Sequence, residues 1–250
     1  VNLKVDQTIE ETPEKPVQPP LGQRAKREAL AWLWIILAFL FIYSCVGQAR
    51  VIPSESMEDT LLVGDHLIMS RLGYDIGLPF TPWHVPLWRN PQRQQIVIIR
   101  APQLEGAPDL IKRVIGIPGD TVDIHNGHVF VNGTQLNEPY LKEPDSPVVP
   151  SRVWKVPPGK YFVMGDNRND SFDSRFWGGE DGPPEAHFAS RADLIGVPVM
   201  IYLSVDAAKN EGELHTQAWE PGHLVERFTA YASCIIHPGR VRWKRLFHFF

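Results

Sequence analysis

A mainly β fold preceded by one N-terminal transmembrane helix is what this sequence predicts, on three observations. An apolar run from Ala29 to Val46 follows a basic cluster, the chain beyond Arg50 breaks into short apolar or alternating runs divided by Pro, Gly and Asn, and no long amphipathic helix stands out. At 250 residues and 43% hydrophobic content the chain can hold one sizeable packed domain with small appendages. Its formal net charge of -4 leaves no broad basic surface to displace counterions from phosphates, so no nucleic-acid partner is expected.

Residues 1–28 are expected to form a disordered cytoplasmic tail. Stretches such as Glu11-Thr12-Pro13-Glu14-Lys15-Pro16 lack an apolar period and cannot bury enough surface to offset the entropy of ordering. Residues 29–46 are expected to be the transmembrane helix, at the short end of the about 20 apolar residues a span takes. Arg24, Lys26 and Arg27 on its N-terminal side predict a cytoplasmic N-terminus and an exported bulk. A cleaved secretory signal is the alternative, since Gly47-Gln48-Ala49 has small residues at a cleavage-like separation, but the leading tail is long and the apolar run exceeds the ~7–15 residues of a signal core. Lipid attachment at Cys45 is disfavoured by the bulky Tyr43. Cys45 and Cys234 are the two cysteines, too few and too differently placed for a disulfide framework or a metal site.

Residues 50–250 are expected to form the exported β domain. Strand-like runs are Leu67-Ile68-Met69, Gln95 to Ile99, Val122-Asp123-Ile124, Val129-Phe130-Val131, Tyr161 to Met164, and Ile195 to Leu203. Asn126-Gly127 and Asn132-Gly133 are hairpin dipeptides, so residues 120–162 read as a small β-rich insertion. The basic, aromatic Val241–Phe250 is either a strand or short helix touching anionic lipid headgroups or an ordinary domain terminus. Residues 207–237 carry no interpretable motif.

Three polar blocks interrupt this pattern. Ile52-Pro53-Ser54-Glu55-Ser56-Met57-Glu58-Asp59-Thr60-Leu61 follows the apolar run, Asp109-Leu110-Ile111-Lys112-Arg113-Val114-Ile115-Gly116 sets a lysine among apolar residues, and Gly165-Asp166-Asn167-Arg168-Asn169-Asp170-Ser171-Phe172-Asp173-Ser174-Arg175 is the third. A serine hydroxyl needs a neighbouring base to become a nucleophile, and lysine can be that base only when neutral. Burial among Leu110, Ile111, Val114 and Ile115 would lower Lys112 from about 10.4 toward the working range. Arg113, on the opposite face if the segment is a strand, is expected to stay charged in solvent. Taken singly, Lys112 could be an edge-strand lysine, and Ser54 and Ser56 turn residues.

Together the blocks resemble type I signal peptidases, the bacterial leader peptidases of peptidase family S26, which are membrane-bound serine proteases that remove signal peptides from exported proteins. The resemblance implies the following roles; spacing does not supply them. Ser56, directly before Met57, matches the nucleophile, and Lys112, directly before Arg113, matches the general base. Ser54 matches a serine whose hydroxyl helps bind the oxyanion alongside the N–H of Ser56. Ser171 matches the serine that orients the lysine amine, and Asp173 and Arg175 match a bracing pair, with a solvated charge pair as the bland alternative. Ile52, Met57, Leu61, Leu110 and Ile111 would line the hollows for the small residues before the cut, or simply pack the core.

The family needs no cofactor and no metal. Its partners would be preprotein signal peptides and the phospholipid bilayer, and its place the outer face of the bacterial cytoplasmic membrane.

The likeness covers roughly residues 50–178 and departs at three points. Asp59 stands where proline is frequent, Leu110 where an aromatic is common, and Arg93-Gln94-Gln95 where Arg-Gly-Asp is frequent; these touch turn geometry and substrate preference, not the reacting groups. Among rivals, a Ser-His-Asp protease lacks a nucleophile-elbow context, and His66 sits in a strand run that favours packing. A self-cleaving regulator would be soluble and carry a DNA-binding domain. A specialised pilus-maturation peptidase and a non-catalytic membrane-tethered binding domain remain as alternatives.

Overall fold

The computed structural model describes residues 21–77, 83–100, 109–144, 146–179, 182–206 and 237–250. The chain divides into two units, 1–39 and 40–250. The first carries most of the helix α1, Leu21–Phe41. The helix begins earlier than residue 29 because Gln23, Arg24, Ala25, Lys26, Arg27 and Glu28 are all good helix formers, so the basic cluster lies within it. It also ends sooner than residue 46, since Ile42–Val46 opens into a wider π-type turn. Trp32, Trp34, Phe39 and Phe41 are each more than half exposed. Among the described residues no helix is long and apolar enough to cross a membrane.

The second unit is built from strands. Strand β1 (Gly47–Val51), which no sequence run announced, pairs antiparallel with β2 (Asp65–Ser70). A small hairpin joins β3 (Asp75–Gly77) to β4 (His84–Pro86). Strands β5 (Ile96–Ile99) and β6 (Leu110–Gly116) pair antiparallel, with Val97 opposite Lys112 and Ile98 opposite Ile111. A four-stranded sheet follows, made of β7 (Thr121–His125), β8 (His128–Val131), β9 (Thr134–Gln135) and β10 (Arg152–Lys155) in the order β10-β7-β8-β9. The main sheet is completed by β11 (Lys160–Met164), β12 (Ala189–Ser190), β13 (Leu194–Ser204) and β14 (His248–Phe249). Its order is β1-β2-β13-β5-β6-β11-β12, with β14 on β13.

Every strand run anticipated in the sequence falls in one of these strands, save that Gln95 lies one residue ahead of β5. Both Asn-Gly dipeptides are two-residue hairpin turns with both residues at positive φ: Asn126 at 50° and Gly127 at 78°, Asn132 at 52° and Gly133 at 79°. The four-stranded sheet closes at Lys155, however, and Lys160, Tyr161 and Phe162, expected inside the insertion, belong to β11 of the main sheet. The two sheets share one core, in which Val122, Ile124 and Trp154 pack with Ile115, Phe162 and Met164.

The continuous apolar run of β5 is explained by burial on both faces. Ile96 and Ile98 enter a cluster with Ile52, Met57, Leu61, Leu67 and Ile201, while Val97 and Ile99 enter another with Tyr74, Val114, Tyr161 and Val163. The two-residue period separates them, and each buried side chain contributes about 1.5–3 kcal/mol. His66 is buried in β2, as expected of a packing residue, and burial lowers its imidazole to about 4.

The segment around Val241–Phe250 resolves into a short helical turn, Trp243–Arg245, and β14. Its Arg242 and Arg245 side chains turn inward, to the carbonyl of Val63 and to Asp65. Cys234 and most of the motif-free stretch lie outside the described residues, as do residues 1–20 of the expected tail.

Candidate active site

Ser56 lies in a tight turn that leaves the main sheet at Val51 and returns at Asp65. The chain arrives extended at Ser54 and makes one short helical turn over Glu55–Met57. It then coils on through Thr60 N–H and Leu61 N–H, which both donate to Met57 C=O. Ile52 N–H to Asp65 C=O and Gly64 N–H to Ile52 C=O close the base of the loop. Asp59 has φ 78°, a left-handed conformation that aspartate tolerates and proline cannot adopt. The departure from the frequent proline therefore marks a different local turn. Gln94 likewise occupies φ 65° where glycine would carry no penalty, and its side-chain amide donates to Asn137 C=O at 2.7 Å.

Lys112 is carried by β6, which lies between β5 and β11. It is 2% exposed, and its Nζ donates to Ser56 Oγ at 2.7 Å, joining the first two sequence blocks. Burial pulls the amine from its ordinary 10.5 down to about 8; the nearby Asp173 carboxylate opposes that shift and Arg175 supports it. Ser54 Oγ lies 3.4 Å from Ser56 Oγ.

The third block supplies the surroundings. Asp173 and Arg175 form a fully buried bidentate pair, with Arg175 Nε to Oδ1 at 2.8 Å and Nη2 to Oδ2 at 2.9 Å, so they are not a solvated pair. Arg175 also donates to Arg168 C=O and Val149 C=O, and Gly165 N–H donates to Asp173. Burial alone would raise the Asp173 carboxyl, but the hydrogen bonds and charge of Arg175, the Gly165 N–H and the Lys112 charge hold it below its ordinary value. Ser171 is buried beside Gly165, yet its hydroxyl makes no hydrogen bond to Lys112 in this structure.

Arg113 corrects an expectation. The strand does send it to the face opposite Lys112, but it is buried rather than solvated, donating from Nε to Asp166 Oδ1 at 2.8 Å and from Nη2 to Oδ2 at 2.5 Å. The Tyr140 ring lies 3.8 Å from its guanidinium carbon. Thr60 Oγ1 donates to the same carboxylate at 2.6 Å.

The five residues assigned to substrate hollows do not stay together. Ile52, Met57 and Leu61 are 3%, 1% and 0% exposed in one core cluster with Ile111 against it, whereas Leu110 packs with the cluster on the other face of β6. Only Leu110 and Ile111 of the five keep appreciable exposed surface. Among the described residues no group of three or more His, Cys, Asp or Glu side chains could hold a metal ion.

Sequence reasoning assigned no role to Thr60, Gly165, Asp166 or Asn167. Asn167 grips the Ser56 turn twice, its backbone N–H donating to Ser56 C=O at 3.1 Å and its Nδ2 to Glu55 C=O at 3.2 Å. A Cβ at Gly165 would stand 2.4 Å from both Ser56 C=O and Ser171 Oγ, so only glycine fits. The one signal for these residues was their place within or beside the first and third blocks.

The family model described as signal peptidase, peptidase S26, matches residues 25–203. A probable signal peptidase I-2 of Synechocystis sp. is 35% identical over 224 residues, covering 85% of this chain and 92% of its own. Signal peptidase I of Leptolyngbya laminosa is 35% identical over 211 residues, with 78% and 91% covered. Signal peptidase I P of Bacillus subtilis subsp. natto is 30% identical over 200 residues, with 75% and 96% covered. Agreement with the family over most of the length, and with these relatives over nearly the whole of theirs, shows that the chain belongs to the signal peptidase family, peptidase family S26.

Proposed function

We propose that this protein removes N-terminal signal peptides from exported preproteins by acyl-enzyme chemistry, with Ser56 as nucleophile and Lys112 as general base. The observation that carries the proposal is the 2.7 Å contact between a 2% exposed lysine and a serine hydroxyl. With Lys112 neutral, the same contact passes the Ser56 proton to Nζ while Oγ bonds to the carbonyl carbon of the scissile peptide. The oxyanion that forms is held by the Ser56 N–H and the Ser54 hydroxyl. As the intermediate collapses, the C–N bond breaks and the Lys112 ammonium gives its proton to the departing amine of the mature chain. Neutral again, Lys112 takes a proton from water as that water attacks the ester. It returns that proton to Ser56 Oγ as the C–O bond breaks, which restores the serine hydroxyl and frees the signal peptide as an acid that ionises in solvent. Ser171, buried beside Gly165, is the residue that the family resemblance assigns to orienting the amine, and Asp173–Arg175 braces the loop. Ile111, with Ile52, Met57 and Leu61 behind it, offers the apolar surface that small residues before the cut would fill, while Leu110 packs on the other face of β6.

The proposal includes membrane attachment through α1. Its uncovered apolar side chains suit lipid, and Arg24, Lys26 and Arg27 at one end would keep that end cytoplasmic and the catalytic unit on the outer face. The α-helical part from Ala29 falls short of the about 20 residues a span takes, so the wider Ile42–Val46 turn would share in the crossing. Resistance of the full chain to alkaline extraction from membranes tests this part; release into the supernatant would overturn it.

The chemistry is tested by cleavage of a preprotein with an Ala-x-Ala site by detergent-solubilised wild type, Ser56→Ala and Lys112→Ala. Cleavage after the second Ala by the wild type and by neither folded variant is the expected result. Full activity in either variant refutes the dyad. Failure of the wild type on several such preproteins, with cleavage of one narrow substrate, would point to a specialised maturation peptidase.

A further inference from the structure

The basic segment after Val241 was read in the sequence as a lipid contact or a plain terminus; two of its arginines instead hold the loop that carries Ser56. Arg245 reaches across to Asp65, from Nε to Oδ1 and Oδ2 at 3.2 Å each and from Nη2 to Oδ2 at 2.6 Å. The same Nη2 donates to Thr60 C=O at 2.8 Å. Arg242 Nη1 donates to Val63 C=O at 2.9 Å, between them. Asp65 is wholly buried and also accepts from Leu62 N–H at 2.8 Å and Ser204 Oγ at 2.5 Å, so it is a fixed post at the far end of the turn.

Thr60 links that post to the reacting groups. Its carbonyl is held by Arg245 and its N–H by Met57 C=O, the residue after Ser56, while its hydroxyl donates to Asp166. Asp166 is paired with Arg113 beside Lys112, and its neighbour Asn167 holds the carbonyls of Glu55 and Ser56. Hydrogen bonds thus run from Arg245 through Thr60 to Asp166, whose sequence neighbour Asn167 bonds the Ser56 turn and whose partner Arg113 adjoins Lys112 in β6. We propose that Arg245 is a positioning residue for cleavage, fixing the far end of the Ser56 turn so that Ser56 Oγ stays within reach of Lys112. The inference rests on Ser56 being the nucleophile. The role calls for arginine specifically, since a planar fork bonds a carboxylate and a carbonyl at once and a lysine ammonium replaces the charge without that geometry.

The test compares full-length detergent-solubilised wild type, Arg245→Lys, Arg245→Ala and Ser56→Ala on a peptide with an Ala-x-Ala site. Rates are expressed per folded molecule and followed from pH 6 to 10. Arg245→Lys keeps a positive charge at Asp65 and so guards against a variant that fails to fold. The expected result is a kcat about tenfold lower in Arg245→Lys, and lower still in folded Arg245→Ala. KM should change less than about twofold and the acid limb should keep its midpoint, because the burial of Lys112 is untouched. A kcat within twofold of wild type in Arg245→Lys overturns the proposal. So does a loss that vanishes on normalising to folded protein, or a shifted midpoint with an unchanged plateau, which would mean action through charge alone. Activity in Ser56→Ala would instead overturn the dyad on which the inference rests.

Discussion

Lys112 and Ser56 reach their 2.7 Å contact from supports of different kinds. Lys112 stands in β6, where backbone pairing to β5 sets its height and face and its side chain is 2% exposed. Ser56 stands in a turn outside any ladder, held by side chains of distant segments: Asn167 on Glu55 C=O, Thr60 on Asp166, Arg245 on Thr60 C=O. A ladder distributes its support over many backbone bonds, whereas a turn of this kind depends on a few side chains. The proposed base should therefore tolerate loss of its neighbours better than the proposed nucleophile does, and substitutions can be chosen to break that contrast.

The largest effect belongs to Lys112, the proposed base. Lys112→Met keeps the stem and removes the amine, and cleavage should fall by about 10²–10⁴, the usual worth of a positioned base. Stability should hold or rise, because depressing the lysine from 10.5 to about 8 costs roughly 3 kcal/mol in the wild type. In the wild type the rate should climb with pH through about 8 as the amine becomes neutral. Between about 8 and 10.5 the unfolded chain holds a proton that the folded chain has released, so this group makes stability rise with pH there. Denaturant midpoints at pH 8 and 10 should show that rise in the wild type and lack it in Lys112→Met.

Next comes the point where the two supports meet. Gly165→Ala would drive a Cβ to 2.4 Å from Ser56 C=O and from Ser171 Oγ, so either the turn or the third block must move. Overpacking of this kind costs about 1–3 kcal/mol, and the displacement should lower kcat by about 10–100-fold. A normal kcat with lowered Tm would show that the strain is absorbed away from Ser56.

Asn167 isolates a single tie to the turn. Asn167→Ala removes the donor to Glu55 C=O but leaves the backbone bond to Ser56 C=O. We expect a stability loss of about 0.5–1.5 kcal/mol and a kcat about tenfold lower. Asn167→Asp, which sets a carboxylate against that carbonyl, should be worse than Ala. If Asp equals wild type in kcat, the side chain is not a tie.

The same division explains what could be read from the sequence. The strands β5, β7, β8 and β13 and the two Asn-Gly turns announce themselves because period, β-branching and turn chemistry are local properties. The placement of Lys112 and Arg113 on opposite faces followed from the two-residue period, and so would Leu110 opposite Ile111, though the sequence reading put those two in one pocket. Contacts between remote segments leave no such trace. Thr60 meets Asp166 and Arg245 meets Asp65 only once the main sheet has brought them together. A charged side chain judged alone is assigned to solvent, which is why the burial of Arg113 and the inward turn of Arg245 were missed. The family resemblance named the dyad and the bracing pair because its motifs are short and dense, and it was silent on the residues that hold the turn.

The smallest effect on catalysis should come from a residue that touches the base through the ladder alone. Val97 lies opposite Lys112 across the β5–β6 pairing and is wholly buried among Tyr74, Val114 and Tyr161. Val97→Ala deletes two methyl groups from that cluster, which at about 0.8 kcal/mol each plus the cavity left behind should cost roughly 1–3 kcal/mol. The backbone bonds that place Lys112 do not depend on the Val97 side chain, so kcat per folded molecule should stay within about twofold of wild type while Tm falls. Asn167→Ala should show the reverse balance, a smaller loss of Tm and a larger loss of kcat. If Val97→Ala loses as much kcat as Asn167→Ala, the lysine is held by side-chain packing as tightly as the serine is by its ties, and the contrast between ladder and turn fails.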